Sequence, residues 1–186
     1  MASGSEPSKA SKPNGPVLER VPPGDDRPRL MCDDCGFVHY VNPKVIVGAV
    51  ATWNGKFLLV KRAIEPRKGF WTIPAGFLEV GETVEAGAVR ETWEEARAHI
   101  AIDALLGVYN ITRIAQVYLV FRAHMVSETF SPGSESEEAE LLPWDDIPWN
   151  DLAFPSVHWA LEHYRDAEGQ TEIVPAREPP AIHWER

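Results

Sequence analysis

The sequence predicts an α/β fold: an α/β/α sandwich around a mixed central sheet. Three observations carry this expectation. A β-branched apolar run, Val45 to Trp53, is joined through Asn54-Gly55 to a second strand, Lys56 to Arg62, and Asn-Gly between two apolar runs is a strong hairpin signal. A glycine-bearing loop then leads into a single helical stretch in which Val84, Ala88, Thr92 and Ala96 recur at helical spacing. Two further strands and a last amphipathic helix follow.

The elements read as follows. After the hairpin, Ile64 to Phe70 is a polar loop, and Trp71-Thr72-Ile73 is a short strand that runs through Pro74 to Gly76. Thr83 is placed to cap the first helix, with Glu85 favourable in its first turn, and Gly87 is a weak point inside it. Leu105 to Ile111 and Gln116 to Met125 are strands, the second with Val117, Leu119, Phe121 and Ala123 on one face. Ser127 to Glu140 reads as a loop, and Ala139 to Leu142 as a short strand. Ser156 is expected to cap a last helix running to about Ala167, with Val157, Ala160, Leu161 and Tyr164 apolar.

The whole chain sets bounds. Its 186 residues suffice for one domain with a core, plus tails, and 44% of them are hydrophobic. Net charge is −10, from 28 acidic and 18 basic residues. That excludes a general binder of nucleic-acid backbones, yet leaves room for small anionic substrates where a metal neutralises phosphate. No apolar run is long enough to span a membrane, and the N-terminus carries no apolar signal core. With two cysteines and no signal, a reducing, cytoplasmic setting is expected.

The chemistry concentrates in Arg90-Glu91-Thr92-Trp93-Glu94-Glu95. On a helix, Glu91, Glu94 and Glu95 sit at i, i+3 and i+4, which puts three carboxylates on one face. Such neighbours repel and raise one another's pKa. A divalent cation reverses that cost, and Mg²⁺ prefers oxygen ligands. The competing reading is an acidic, solvated helix face.

Around this run, Gly76 is followed by five residues and Glu82, then seven and Arg90-Glu91, then two and Glu94-Glu95. This pattern resembles the Nudix box, the loop–helix–loop signature of the Nudix hydrolases, with one departure: Arg97 stands where the family usually has Gly. A Gly there supplies a left-handed helix cap, and an Arg costs about 1 kcal/mol in the same conformation. The resemblance implies hydrolysis of a nucleoside diphosphate linked to another group. It implies Mg²⁺ or Mn²⁺ on Glu91 and Glu95, with Glu94 as a further ligand or water-orienting group and the backbone near Gly76 assisting. Arg90 would hold the glutamates, and Glu82 would brace the loop or bind an outer metal. A base often comes from outside the box; Glu138 is the expected one, with Glu135 and Glu137 behind it.

Substrate contacts are expected from Arg62, Trp71 and Glu82, with Trp144, Trp149 and Phe154 able to stack on a base; each of these aromatics is more often core or subunit interface. The runs HYVNPKVIVGAV, KRAIEPRKGFWTIPAGFLEVGET and LAFPS resemble a Nudix branch with FAD and ADP-ribose diphosphatases. They also resemble the ribbon-bearing NADH diphosphatases, whose additional motif after the box is absent.

Cys32-Asp33-Asp34-Cys35-Gly36 has the shape of a zinc knuckle, but structural zinc needs four ligands. Three readings stay open: a degenerate knuckle without metal, a Zn²⁺ site completed by His39 and another residue or subunit, and a redox pair. Around it the chain resembles Nudix proteins that carry a zinc ribbon, whose earlier cysteines would fall near Ser11 and Asn14. The expected organisation is therefore a disordered tail over 1–29, a degenerate ribbon over 30–43, a Nudix domain over 44–168 and a tail over 169–186. The partner is a small nucleotide, not nucleic acid or membrane, and a homodimer is the general expectation for such chains. Two other functional readings are a non-catalytic nucleotide sensor and an adaptor built on Cys32 and Cys35.

Overall fold

The computed structural model describes residues 15–177, which fall into two compact units divided between Asn42 and Pro43.

The first unit is a three-stranded antiparallel sheet of β1 (Leu18–Arg20), β2 (Arg29–Met31) and β3 (Val38–His39), with Leu18 opposite Met31 and Leu30 opposite His39. Part of the stretch expected to be a disordered tail is thus a strand. The intervening turn is tied by Asp25, whose carboxylate accepts from Arg29 Nε at 3.0 Å. The cysteine turn is closed twice: Gly36 N–H donates to the Cys32 carbonyl and Cys32 N–H to the Phe37 carbonyl, both at 2.9 Å. Cys32 is buried and Cys35 exposed. Ser11 and Asn14 lie outside the described residues.

The second unit holds β4 (Lys44–Trp53), β5 (Lys56–Arg62), β6 (Trp71–Thr72), β7 (Ala75–Phe77), α1 (Val84–Ala96), β8 (Ile100–Ile111), β9 (Gln116–Met125), β10 (Ser136–Leu142) and α2 (Pro155–Asp166). The sheet order is β10-β5-β4-β9-β8, with β6 on β5 and β7 on β4. Only β4 and β9 run parallel; the other pairs are antiparallel, so the sheet is mixed.

Both faces of the sheet are covered, which makes β4 an almost unbroken buried run from Ile46 to Ala51. One face packs on α1 through Val47, Ala49, Leu58, Ala88, Phe121 and Met125. The opposite face packs on α2 through Val50, Phe57, Tyr109, Val120, Leu161 and neighbouring aromatics. Successive residues of β9 divide between the two cores, Leu119, Phe121 and Ala123 on the α1 side and Tyr118 and Val120 on the other. This is the expected α/β/α sandwich.

The structure moves several boundaries. Strand β8 starts at Ile100, before Leu105, and β10 starts at Ser136, before Ala139. Ser156 does not cap α2; the helix opens on Pro155 after Phe154, with no side-chain cap, as suits a residue without an N–H to satisfy. Part of the expected C-terminal tail docks: Ala176 exchanges two 2.9 Å backbone hydrogen bonds with Leu106 and Val108 of β8.

Candidate active site

Helix α1 presents the carboxylates, and its start is fixed as the sequence reads: Thr83 Oγ1 accepts from Ala86 N–H at 3.2 Å. Strand β7 lies alongside, tied to β4 with Gly76 opposite Val47. Gly76 is required there by close approach, since a Cβ would overlap the Glu91 carboxylate. One residue earlier, Ala75 N–H donates to Glu95 Oε2 at 3.1 Å. Glu91 and Glu95 are 8% and 7% exposed. Burial pushes the Glu91 carboxyl up, an effect the Arg90 guanidinium beside it opposes. Burial pushes Glu95 up to about 8, against the Ala75 N–H.

Arg90 ties the cluster together. Its guanidinium donates to Glu82 twice, at 3.0 and 2.7 Å, to Glu91 at 2.7 Å, to Glu94 at 3.1 Å and to the Phe77 carbonyl at 2.9 Å. Glu82 also accepts from Glu79 N–H at 2.7 Å. The Arg90 fork, with that N–H, holds Glu82 down to about 2. These bonds tie Glu82 to Arg90 and to the loop backbone. Glu94 is half-exposed and reaches the cluster through Arg90.

The loop before β10 completes the site. Ser131 N–H donates to the Ala96 carbonyl and Gly133 N–H to the Glu95 carbonyl, both at 2.9 Å. These bonds satisfy carbonyls at a helix end whose last turn has no basic residue. A Cβ on Gly133 would overlap the Glu94 carbonyl oxygen, so glycine lets the loop approach the helix. Ser134 and Glu135 are thereby carried into the site.

The result is a cleft of about 630 Å³ lined by Glu91, Glu94, Glu95, Arg62, Arg97 and Glu135 among others. It adjoins a largely apolar cavity of about 460 Å³ walled by Ile46, Ile73, Tyr118, Phe154 and Trp159. Arg62, Ala75, Gly76 and Phe77 border both. Arg62 is steadied by the Pro66 carbonyl at 2.9 Å and by the Phe154 ring at 5.3 Å.

Four of the expected residues fall elsewhere, Glu138, Trp71, Trp144 and Trp149. Glu138 does not line the cleft: on β10 it stands opposite Lys61 and accepts from its ammonium at 2.8 Å. Glu135 occupies the place expected for it. Trp71 lines neither space, because β6 pairs with β5 and seats the ring against the α2-side core. Trp144 and Trp149 pack there too, Trp144 5.6 Å from Phe57; Phe154 reaches the cavity as expected. Tyr118 and Trp159 were not foreseen, and their alternation with core residues on β9 and α2 is the only signal for them.

The donors suit a hard cation. Glu91 and Glu95 are two desolvated carboxylates, and oxygen donors of this kind match Mg²⁺ or Mn²⁺. Among the described residues, no three His, Cys, Asp or Glu side chains form a ready-made metal cage, so backbone or substrate oxygens would fill the remaining positions. Cys32 and Cys35 offer zinc two of the four ligands it needs.

A model of the NUDIX domain matches residues 42–166. The chain belongs to the Nudix hydrolase family. A Nudix N-terminal zinc-ribbon model matches residues 14–41. An ADP-ribose pyrophosphatase of Methanocaldococcus jannaschii is 34% identical over 113 residues, 59% of this chain and 67% of that protein. The NAD-capped RNA hydrolase NudC of Vibrio atlanticus is 31% identical over 121 residues, and the match spans 43% of its length. The crystal structure of a Nudix hydrolase from Nitrosomonas europaea superposes with a TM-score of 0.82 at 46% identity, covering 88% of this chain and 94% of that one. In this Nudix protein the box runs from Gly76 on β7 through α1, and Arg97 holds the left-handed position after the helix, φ 48° and ψ 27°.

Proposed function

We propose that this Nudix hydrolase cleaves the diphosphate bond of a nucleoside diphosphate derivative, ADP-ribose or FAD before NAD(H), by attack of water at phosphorus. A nucleoside monophosphate is released. The observation that carries the reading is the burial of Glu91 and Glu95 at a cleft that adjoins an apolar cavity. Two nearly buried carboxylates are costly without a cation, and the cavity offers flat apolar walls for a base.

Glu91 and Glu95 would hold Mg²⁺ or Mn²⁺, which supplies charge neutralisation on the diphosphate and a more acidic bound water. The chain's own residues do the rest by positioning. Arg90 keeps Glu91 and Glu94 aimed and fixes the loop through Glu82. Arg62, at the border of cleft and cavity, takes a phosphate oxygen. Tyr118, Phe154 and Trp159 receive the base and exclude water around it. Glu135, facing Glu91 and Glu95 across the cleft, accepts the proton of the attacking water.

The relative named ADP-ribose pyrophosphatase supports the choice of ADP-ribose as first substrate. The test is a hydrolysis panel of ADP-ribose, FAD, NADH and a nucleoside triphosphate with Mg²⁺ or Mn²⁺. AMP from ADP-ribose or FAD is the expected product. No turnover of any of them by folded, metal-supplied protein would overturn the reading.

A further inference from the structure

We infer that Arg97 forms a binding site for an anionic group beyond the scissile diphosphate, so that the enzyme takes nucleotides whose leaving half carries further phosphate. The inference rests on the hydrolytic reading above and adds the character of the leaving half.

At position 97 the Nudix box usually has Gly, and the backbone here keeps the left-handed conformation that favours Gly. The chain nonetheless places an Arg there. Arg97 borders the carboxylate cleft with Glu94, Glu95 and Ser134, but not the apolar cavity. With a base in that cavity and the diphosphate at the glutamates, Arg97, which borders only the cleft, is assigned to the departing group.

The guanidinium is held from behind. It lies 5.6 Å over the Trp93 ring and donates at 3.4 Å to the Trp93 carbonyl, and Trp93 in turn stacks on His99 with centroids 4.5 Å apart. Among the described residues no carboxylate comes within 4.0 Å of it, whereas Arg90 is saturated by Glu82, Glu91 and Glu94. A planar cation backed by an aromatic ring and paired with no carboxylate among the described residues, on a residue that borders the carboxylate cleft, suits bidentate binding of a phosphate. A cation at a helix C-terminus also favours the helix dipole. That role would affect melting temperature and would treat all substrates alike.

The experiment compares wild type, Arg97→Gly and Arg97→Lys on ADP-ribose, diadenosine triphosphate and diadenosine tetraphosphate, with Mg²⁺ and chromatographic detection of AMP. The expected result is that Arg97→Gly loses about 10-fold more kcat/KM on the tetraphosphate than on ADP-ribose, as loss of a charge-assisted hydrogen bond would give. The loss should lie mainly in KM, and Arg97→Lys should recover part of it. Arg97→Gly relieves the backbone, so a folding defect does not mimic the result; its melting temperature is read alongside. An equal change on all three substrates, or none, overturns the inference. Should wild type turn over none of them, nor FAD, NADH or a nucleoside triphosphate, the hydrolytic reading itself fails. Calorimetric binding of ATP with Mg²⁺ then decides for Arg97: weaker binding by Arg97→Gly supports the site, and equal affinity overturns it.

Discussion

The amide of Gly133 donates to the carbonyl of Glu95 at 2.9 Å, so the loop before β10 is fastened to the same residue whose side chain faces the cleft. Helix end and acidic loop are one construction. Gly133→Ala would drive a Cβ into the Glu94 carbonyl. The expected outcome is a loss of roughly 1–3 kcal/mol of stability and a fall in kcat that exceeds any change in KM, because Glu135 is displaced. Chemical denaturation and steady-state kinetics check both.

Gly76→Ala tests the other wall. The new Cβ would overlap the Glu91 carboxylate and turn it away from the cleft. Apparent affinity for Mg²⁺ or Mn²⁺ should weaken by about 10–100-fold, read as the metal concentration giving half-maximal rate. Unchanged metal affinity would show that Glu91 does not hold the ion.

Arg90 reaches three glutamates and a backbone carbonyl at once. A lysine, with one ammonium, cannot span them. Arg90→Lys should therefore behave nearly as Arg90→Ala, each losing about 10–100-fold in kcat/KM. Recovery of wild-type activity by lysine would reduce Arg90 to a simple charge.

Glu82 gives the acid limb of stability. Its folded value is lowered from 4.5 to about 2, chiefly by the Arg90 hydrogen bonds. A depressed carboxylate contributes stability above its unfolded value and loses it as pH falls. The window is thus from about 4.5 down to about 2. Melting temperature measured across that range should fall less steeply for Glu82→Gln than for wild type; parallel curves would contradict the assignment.

What the sequence discloses is local. Asn54 and Gly55, at φ 48° and 77°, turn the β4–β5 hairpin by their own preferences, and Thr83 starts α1 by its own hydroxyl. The Glu91–Glu95 spacing likewise survives into the structure because one helix carries it. Glu135 was not separable from Glu137 and Glu138, since three glutamates in one acidic run look alike. Their positions are separated by non-local pairing: β10 sets Glu138 opposite Lys61, while Gly133 on the helix end brings Glu135 to the cleft. The place of Trp71 against the α2-side core was hidden for the same reason, since it follows from the β5–β6 pairing. Leu18–Arg20 is stabilised by pairing with Arg29–Met31, which neighbouring residues alone do not reveal.

The measurement that bears most directly on the central claim is AMP release from ADP-ribose at saturating Mg²⁺ by wild type and Glu95→Gln. The substitution preserves shape and removes the charge that would hold the ion. Loss of roughly 1000-fold or more in kcat, with the fold retained by circular dichroism, is the predicted result for a carboxylate on which the reaction depends. Hydrolysis by Glu95→Gln at the wild-type rate would contradict the account.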